Sequence, residues 1–274
     1  MIPLNKNREY KTSMDELSYT DMQDILMENL RLMHFPVAVK YVFSDKELEE
    51  FKANVKDYYT PVKKLTFCQW EIAARMKGQT VLAEEKHLGC PNAAYVLGWK
   101  PLDDKEIDSH LKYVKDREQA ERFVRSKSRL PEGELKAVIV SPLSEAYFPP
   151  DTVHFYCDNI QAYHLAVDYM AALDVHPLKT NITMNSSACS GNVYSFQQGQ
   201  ANLLTACSGS YNAGKTERGE INFIVPGGQI EAVTRRLLER VESAGGGSIT
   251  RPGDNFPGAD VCKNCPLIVF KKAS

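Results

Sequence analysis

Apolar residues recur at helical spacing from Tyr19 to His34, where Met22, Ile25, Leu26, Leu30 and Met33 share one face, with Thr20 as the expected N-cap. Pro36–Phe43 then alternates and is rich in β-branched and aromatic residues, which predicts a strand. Ser44 is placed to cap a short helix running to about Asn54, with Glu47 in the capping-box position. A further helix is expected to start at Cys68, carry Trp70, Ala73, Ala74 and Met76, and stop at Gly78. Residues 101–130 hold 15 charged residues in 30 and read as a solvated helical face. Beyond them, Lys136–Ser141 and Thr152–Cys157 predict two strands joined by the Pro149-Pro150 turn, and Asn159–Leu173 an amphipathic helix. Gly219–Pro226 predicts another strand, and Gly228–Ser243 a helix with Val233, Leu237, Leu238 and Val241 on one face.

Elements of both kinds are interleaved, so the expected class is mixed α/β (α+β), with a sheet or sheets covered by helices. The organisation expected is an N-terminal arm over residues 1–19, a single domain over 20–245, and a C-terminal tail over 246–274. The tail opens on Gly245-Gly246-Gly247-Ser248 and carries a CxxC pair, Cys262 and Cys265.

Composition narrows the class of partner. A formal net charge of −2, with no block of five or more like charges, argues against nucleic acid and against an anionic membrane surface. No run of eighteen apolar residues is present, and the N-terminal residues lack the apolar core of a secretory signal, so a cytoplasmic location is expected. Seven cysteines stand out against that background. An odd count and a reducing compartment disfavour a disulfide framework and leave metal binding, catalysis or plain burial.

The cysteines fall into a pattern. Cys68 is followed ten residues later by Gly78-Gln79, and Cys189 ten residues later by Gly199-Gln200; Cys90 and Cys207 close the two units. Superposed, Ile72 falls on Val193 and Leu82 on Leu203, with four extra residues in the first unit before its second cysteine. This is a weak internal repeat, and two copies of one unit can bring four thiols together across a shared interface. The alternative is that cysteines serve as small core residues, which is the role expected of Cys157.

Soft thiolates select zinc, copper(I) or an iron–sulfur cluster. Structural zinc usually takes two close CxxC knuckles, and Cys262/Cys265 is the lone such pair, a second-tier candidate that could equally be a redox dithiol or a tail clip. Single, widely spaced cysteines at helix starts and turns suit a cluster better, and Pro follows both Cys90 and Cys265 as it follows the last cysteine of bacterial ferredoxins. Cys68, Cys90, Cys189 and Cys207 are therefore the expected ligands, with a 4Fe–4S cluster favoured and zinc the alternative. Gly89, Gly191 and Gly209 would let backbone amides approach such a centre. His87, three residues before Cys90, could orient a thiolate, although a solvated loop histidine is the plainer reading.

Gly209–Thr216 formally fits the P-loop pattern, but the helix that the mechanism requires after Lys215-Thr216 is replaced by a strand, so it is read as a chance match. Whether the chain is an enzyme stays open: an activated Cys68 or Cys207 acting as nucleophile or persulfide carrier is the rival to electron transfer or redox sensing. A small-molecule binder with core cysteines is the third reading. A redox partner protein, a small ligand and a second copy of the chain all remain open as partners.

Several short motifs together resemble one family. Pro36–Lys40 after a first helix, a lone Cys68 before an Ala-rich helix, Gly89-Cys90-Pro91 leading to Leu97-Gly98, and Cys207 before Ser208-Gly209-Ser210 resemble the archaeal and bacterial ArCR family over residues 20 to 245. The resemblance implies that Cys68, Cys90 and Cys207 sit at positions typical of the family, whose members are found largely in anaerobes. The family is uncharacterised and supplies no reaction, and the C-terminal CxxC does not map onto its pattern.

Overall fold

A computed structural model describes residues 16–183 and 185–243. Six strands form one antiparallel sheet: β1 (Val37–Val42), β2 (Val81–Ala83), β3 (Ala137–Pro142), β4 (Thr152–Cys157), β5 (Asn202–Thr205) and β6 (Ile221–Pro226), in the order β2-β3-β1-β4-β6-β5. The pairings read alike from either edge. β1 lies along β3 with Val37 opposite Pro142, and β4 lies along β6 with Thr152 opposite Pro226. Outside them, Leu82 of β2 faces Ile139 and Leu203 of β5 faces Phe223, each three residues before the strand-closing proline. β1 and β4 meet at the centre through Val37–Val39 and Thr152–His154.

Ten α-helices accompany the sheet among the described residues: α1 (Tyr19–Leu30), α2 (Asp45–Asn54), α3 (Phe67–Lys77), α4 (Pro91–Val96), α5 (Asp104–Asp108), α6 (Arg117–Arg125), α7 (Asn159–Leu173), α8 (Ser187–Gln198), α9 (Ser208–Asn212) and α10 (Ile230–Ser243). Local sequence sets their ends. Ser18, in extended conformation, accepts from the Asp21 N–H and caps α1, so the cap lies two residues before the expected Thr20, which is already helical. Ser44 caps α2 as expected. Thr66 and Gln69 form a full capping box at α3, which ends at Gly78 in the left-handed region with φ 66°.

Period-two alternation divides the sheet into two faces. Ala38, Val153, Phe155, Cys157, Phe223 and Val225 pack with α1, α7 and α10 in one core. Val37, Val39, Tyr41, Val81, Val138 and Val140 pack with α3, α4 and α8 in the other. Fully buried Phe67 and Trp70 anchor α3 there, each worth about 1.5–3 kcal/mol of transfer free energy. On β4 the same alternation carries Thr152, His154 and Tyr156 to the α3/α8 side, where they bond Asn192 and Glu71. No described helix is long and apolar enough to cross a membrane.

The corner after β6 tests the architecture. Gly227 donates its N–H to Asp151 O, and a Cβ there would lie 1.8 Å from the Pro150 carbonyl oxygen. Gly227→Ala must therefore push two backbones apart, and we expect a loss of about 1–3 kcal/mol or more by urea denaturation; an unchanged midpoint would contradict this packing.

Candidate functional site

The two cysteine units follow one plan. In the first, Cys68 lies at the start of α3, Gly78 ends that helix, β2 forms one edge of the sheet, and Cys90 is the N-cap of α4. In the second, Cys189 lies at the start of α8, Gly199 ends it with φ 62°, β5 forms the other edge, and Cys207 is the N-cap of α9. Each cysteine thus sits where a chain direction changes at a helix start, and α8 packs against both α3 and α4.

All four thiols line one cavity of about 180 Å³. Hydroxyl and amide groups of Thr66, Asn92, Ser109, Asn185 and Ser210 share the wall with apolar Phe67, Ala93 and Ala188; Lys112 is its one charged residue, and no carboxylate contributes among the described residues. Small residues permit the approach of chain to thiol: a Cβ at Gly214 would stand 2.8 Å from Cys68 Cβ and 3.1 Å from its Sγ. Among the described residues, no group of three or more His, Cys, Asp or Glu is drawn close enough together to hold a metal ion.

The thiols differ in their surroundings. Cys68 Sγ lies 3.1 Å from Thr66 Oγ1 and donates weakly to Gly209 O at 3.8 Å. Burial pushes its pKa up to about 12 against the lowering effect of the Thr66 hydroxyl. Cys189 is enclosed, donates to Ser186 O at 3.5 Å, and is driven well above the ordinary thiol range by burial and by the other three thiols. Cys90 is raised by burial, with the backbone N–H groups of Ala93 and Asn92 opposing. Cys207 departs from this pattern. Burial acts on it too, but hydrogen bonds from the side chains and backbone of Ser187 and Ser210 outweigh it and bring this thiol below its ordinary value.

A family profile matches residues 25–236 of the chain. The chain belongs to the ArCR family, described as uncharacterised. That span holds all four cavity cysteines of this ArCR chain and ends before Cys262 and Cys265. No curated protein and no solved structure matches.

The remaining expectations sort as follows. Cys157 is buried in the core on the opposite face of the sheet, donating to Ile221 O, so it stands apart from the cavity. His87 accepts from the Glu84 N–H through Nδ1 and does not line the cavity. Cys90 is the N-cap of α4, because Pro91 supplies the fixed φ that suits a first helical position. Gly209–Thr216 forms no phosphate loop: Gly214 and Lys215 turn their carbonyls to the buried Arg75 Nη2 at 2.9 and 2.8 Å, which clamps the segment to α3. Cys262 and Cys265, the tail that carries them, and residues 1–15 of the N-terminal arm lie outside the described residues.

Residues 101–130 depart furthest from expectation. They are not merely a solvated face, because Glu106, His110 and Lys127 turn inward. Lys127 Nζ lies 3.3 Å from Glu106 Oε1 and 3.0 Å from His110 Nε2, and Asn185, a cavity residue, reaches the same Nε2 at 2.7 Å. Burial lowers the Lys127 pKa, against the pull of the Glu106 carboxylate. Charge density alone hid this cluster; the i, i+4 spacing of Glu106 and His110 was the available signal.

Two measurements follow from these environments. In chelator-treated protein at neutral pH, iodoacetamide is expected to modify Cys207 first. Its lowered pKa leaves more thiolate at a given pH, so the labelling rate should rise through a midpoint below that of an ordinary thiol. Equal labelling of Cys68 and Cys207 at pH 7 would contradict the assignment. Lys127→Met leaves Glu106 buried without its cation and should cost about 3–5 kcal/mol in chemical denaturation, with Glu106→Leu added to Lys127→Met recovering much of it.

Proposed function

We propose that Cys68, Cys90, Cys189 and Cys207 hold an iron–sulfur cluster, 4Fe–4S favoured, and that the chain serves electron transfer or redox sensing in the cytoplasm. The observation that carries this reading is the convergence of four thiols, from matching positions in two like units, on one cavity. The donor set fits such a group. It is all sulfur, which suits iron and sulfide, and Gly209 and Gly214 keep side-chain bulk away from the sulfur-lined wall. A lone zinc ion, by contrast, would need its ligands about 2.3 Å from the metal, and hence the four sulfurs drawn tightly together. When bound, a cluster supplies one-electron redox chemistry. The chain's own contribution is to exclude carboxylates, to place Ser187, Ser210 and Thr66 hydroxyls and the Asn92 and Ala93 amides beside the sulfurs, and so to tune the charge they carry.

One observation favours a second reading. Cys207 alone of the four has a pKa below its ordinary value, which is what a cysteine nucleophile or persulfide carrier requires. Cys68, the other residue considered for that role, is pushed up to about 12 and does not suit it.

Elemental analysis of protein purified without oxygen separates these. About four irons and four acid-labile sulfides per chain, with absorbance near 400 nm, are expected for a 4Fe–4S centre, and each single Cys→Ser change at 68, 90, 189 or 207 should lower or abolish that loading. Zinc without sulfide would make the site structural. Metal-free, colourless protein with a single fast thiol at Cys207 would move the assignment to cysteine chemistry.

A further inference from the structure

The two cysteine units differ in one large feature. Residues 213–220 suffice to lead from α9 to β6, whereas residues 97–136 lead from α4 to β3. The longer connection leaves and returns at one place. Leu130 donates its N–H to Val96 O at 2.8 Å, Gly133 to Gly98 O at 2.9 Å, and Arg129 Nη2 donates to Lys100 O at 3.0 Å. Between those ends, residues 101–130 form a lobe that holds α5, α6 and a single 3₁₀ turn, Leu111–Tyr113. The four cavity cysteines all lie outside this lobe, so it is not needed to supply the sulfurs.

The lobe nevertheless reaches the cavity. Ser109, Lys112 and Tyr113 line it, and Asn185 on the opposite wall is tied to the lobe through His110. Lys112 is exposed and Tyr113 is 43% exposed, so this wall stands at the open side of the cavity. The Lys112 ammonium lies 4.9 Å over the Tyr113 ring. The arginines of the lobe are neutralised within it: Arg117 pairs with Asp104 and Asp108, Arg122 with Glu118, and Arg125 with Glu121. Lys112 forms no ion pair among the described residues, and the one cation on the cavity wall is therefore left without a carboxylate.

A concave site with one uncompensated cation favours an anion, because its field is not cancelled locally. The starts of α3 and α8 open on the same cavity and add the positive ends of two helix dipoles, and Ser186 gives α8 no side-chain cap. Size and charge narrow the ligand further. A cavity of about 180 Å³ has room for roughly six groups the size of a water molecule, at ~30 Å³ each. One ammonium balances one negative charge, and it lacks the planar fork that favours bidentate recognition of phosphate. Phe67, Ala93 and Ala188 offer an apolar wall to a short alkyl group.

We infer that the lobe of residues 101–130 makes the open side of the cavity a binding site for a small monocarboxylate, with Lys112 recognising its charge and Phe67, Ala93 and Ala188 receiving its alkyl part. This goes beyond the cysteine chemistry and does not rest on the cluster reading, since binding moves neither an electron nor a proton.

Iodoacetate and iodoacetamide test it as a charged and a neutral probe of one shape. Each forms the same sulfur–carbon bond to a cavity cysteine and releases iodide, so the thiol's own reactivity cancels in the ratio of their rates. In chelator-treated full-length protein at pH 7 and low salt, the iodoacetate-to-iodoacetamide ratio at the cavity thiols should exceed that of N-acetylcysteinamide by about fivefold, the size expected for an exposed charge pair. Lys112→Gln should return the ratio to the control value. Lys105→Gln, which removes a lysine of the same lobe outside the cavity wall, should leave it unchanged. A wild-type ratio equal to the control, a raised ratio that survives Lys112→Gln, or an equal loss in Lys105→Gln overturns the inference. Where the thiols stay closed to both reagents, thermal unfolding decides: propionate at fixed ionic strength should raise the Tm above that in propionamide for the wild type and not for Lys112→Gln, and equal Tm values in the wild type overturn the inference. Iron and sulfide content before chelation decides the cluster reading separately, so each can fail alone.

Discussion

The β1–β4 ladder is the interaction on which the rest depends. It is short, pairing Val37–Val39 with Thr152–His154, yet it joins two three-stranded sets whose own ladders close on Pro142 and Pro226. Because the pleat alternates, fixing this register fixes which side chains face α3 and α8. A slip of one residue would turn His154 and Tyr156 into the opposite core and bring Val153 and Phe155 against Glu71. The central ladder is therefore both a structural seam and the device that aligns two helix starts, so that Cys68 and Cys189 look into the same space.

The matching of the two cysteine units explains how far the site could be read from the chain. Cys68/Cys189, Gly78/Gly199, Leu82/Leu203 and Cys90/Cys207 are local signals, each tied to a helix start, a left-handed helix end, an edge strand or a cap, and they survive in the sequence for that reason. The interleaving of strands and helices likewise gave the mixed class, because hydrophobic period reports the buried face of each element. The superposition also places Glu71 on Asn192, and these two side chains meet in the fold. That contact could not be read beforehand, since one is charged and the other neutral, and their partner His154 is 83 residues from Glu71.

Long-range polar partnership is what the sequence conceals. Lys127, Glu106 and His110 occur in the most charged part of the chain, where solvated lysines and glutamates are the rule, and burial singles out these three through contacts with Asn92 and Asn185. Arg75, a basic residue of α3, is fully buried and donates to two carbonyls of the segment whose glycines imitate a phosphate loop. In both cases the deciding term is desolvation of a charge, which depends on the whole fold rather than on neighbours in sequence.

The chemistry of the thiols follows from the same term. Four thiolates confined to about 180 Å³ would repel one another strongly in a low-dielectric cavity, and the fold avoids that state. Cys68 and Cys189 turn S–H groups to backbone carbonyls, and burial holds both above the ordinary thiol range. Only at Cys207 do hydroxyl and amide donors outweigh burial and bring the thiol pKa below its ordinary value. On the proposed cluster reading, loading would be coupled to proton release, because a thiol must lose its proton to bind a metal. The unequal environments of the two halves thus have a physical basis. A pair of like units supplies the four sulfurs, and the differences between Thr66, Ser187 and Ser210 set which of them lies above and which below the ordinary thiol pKa.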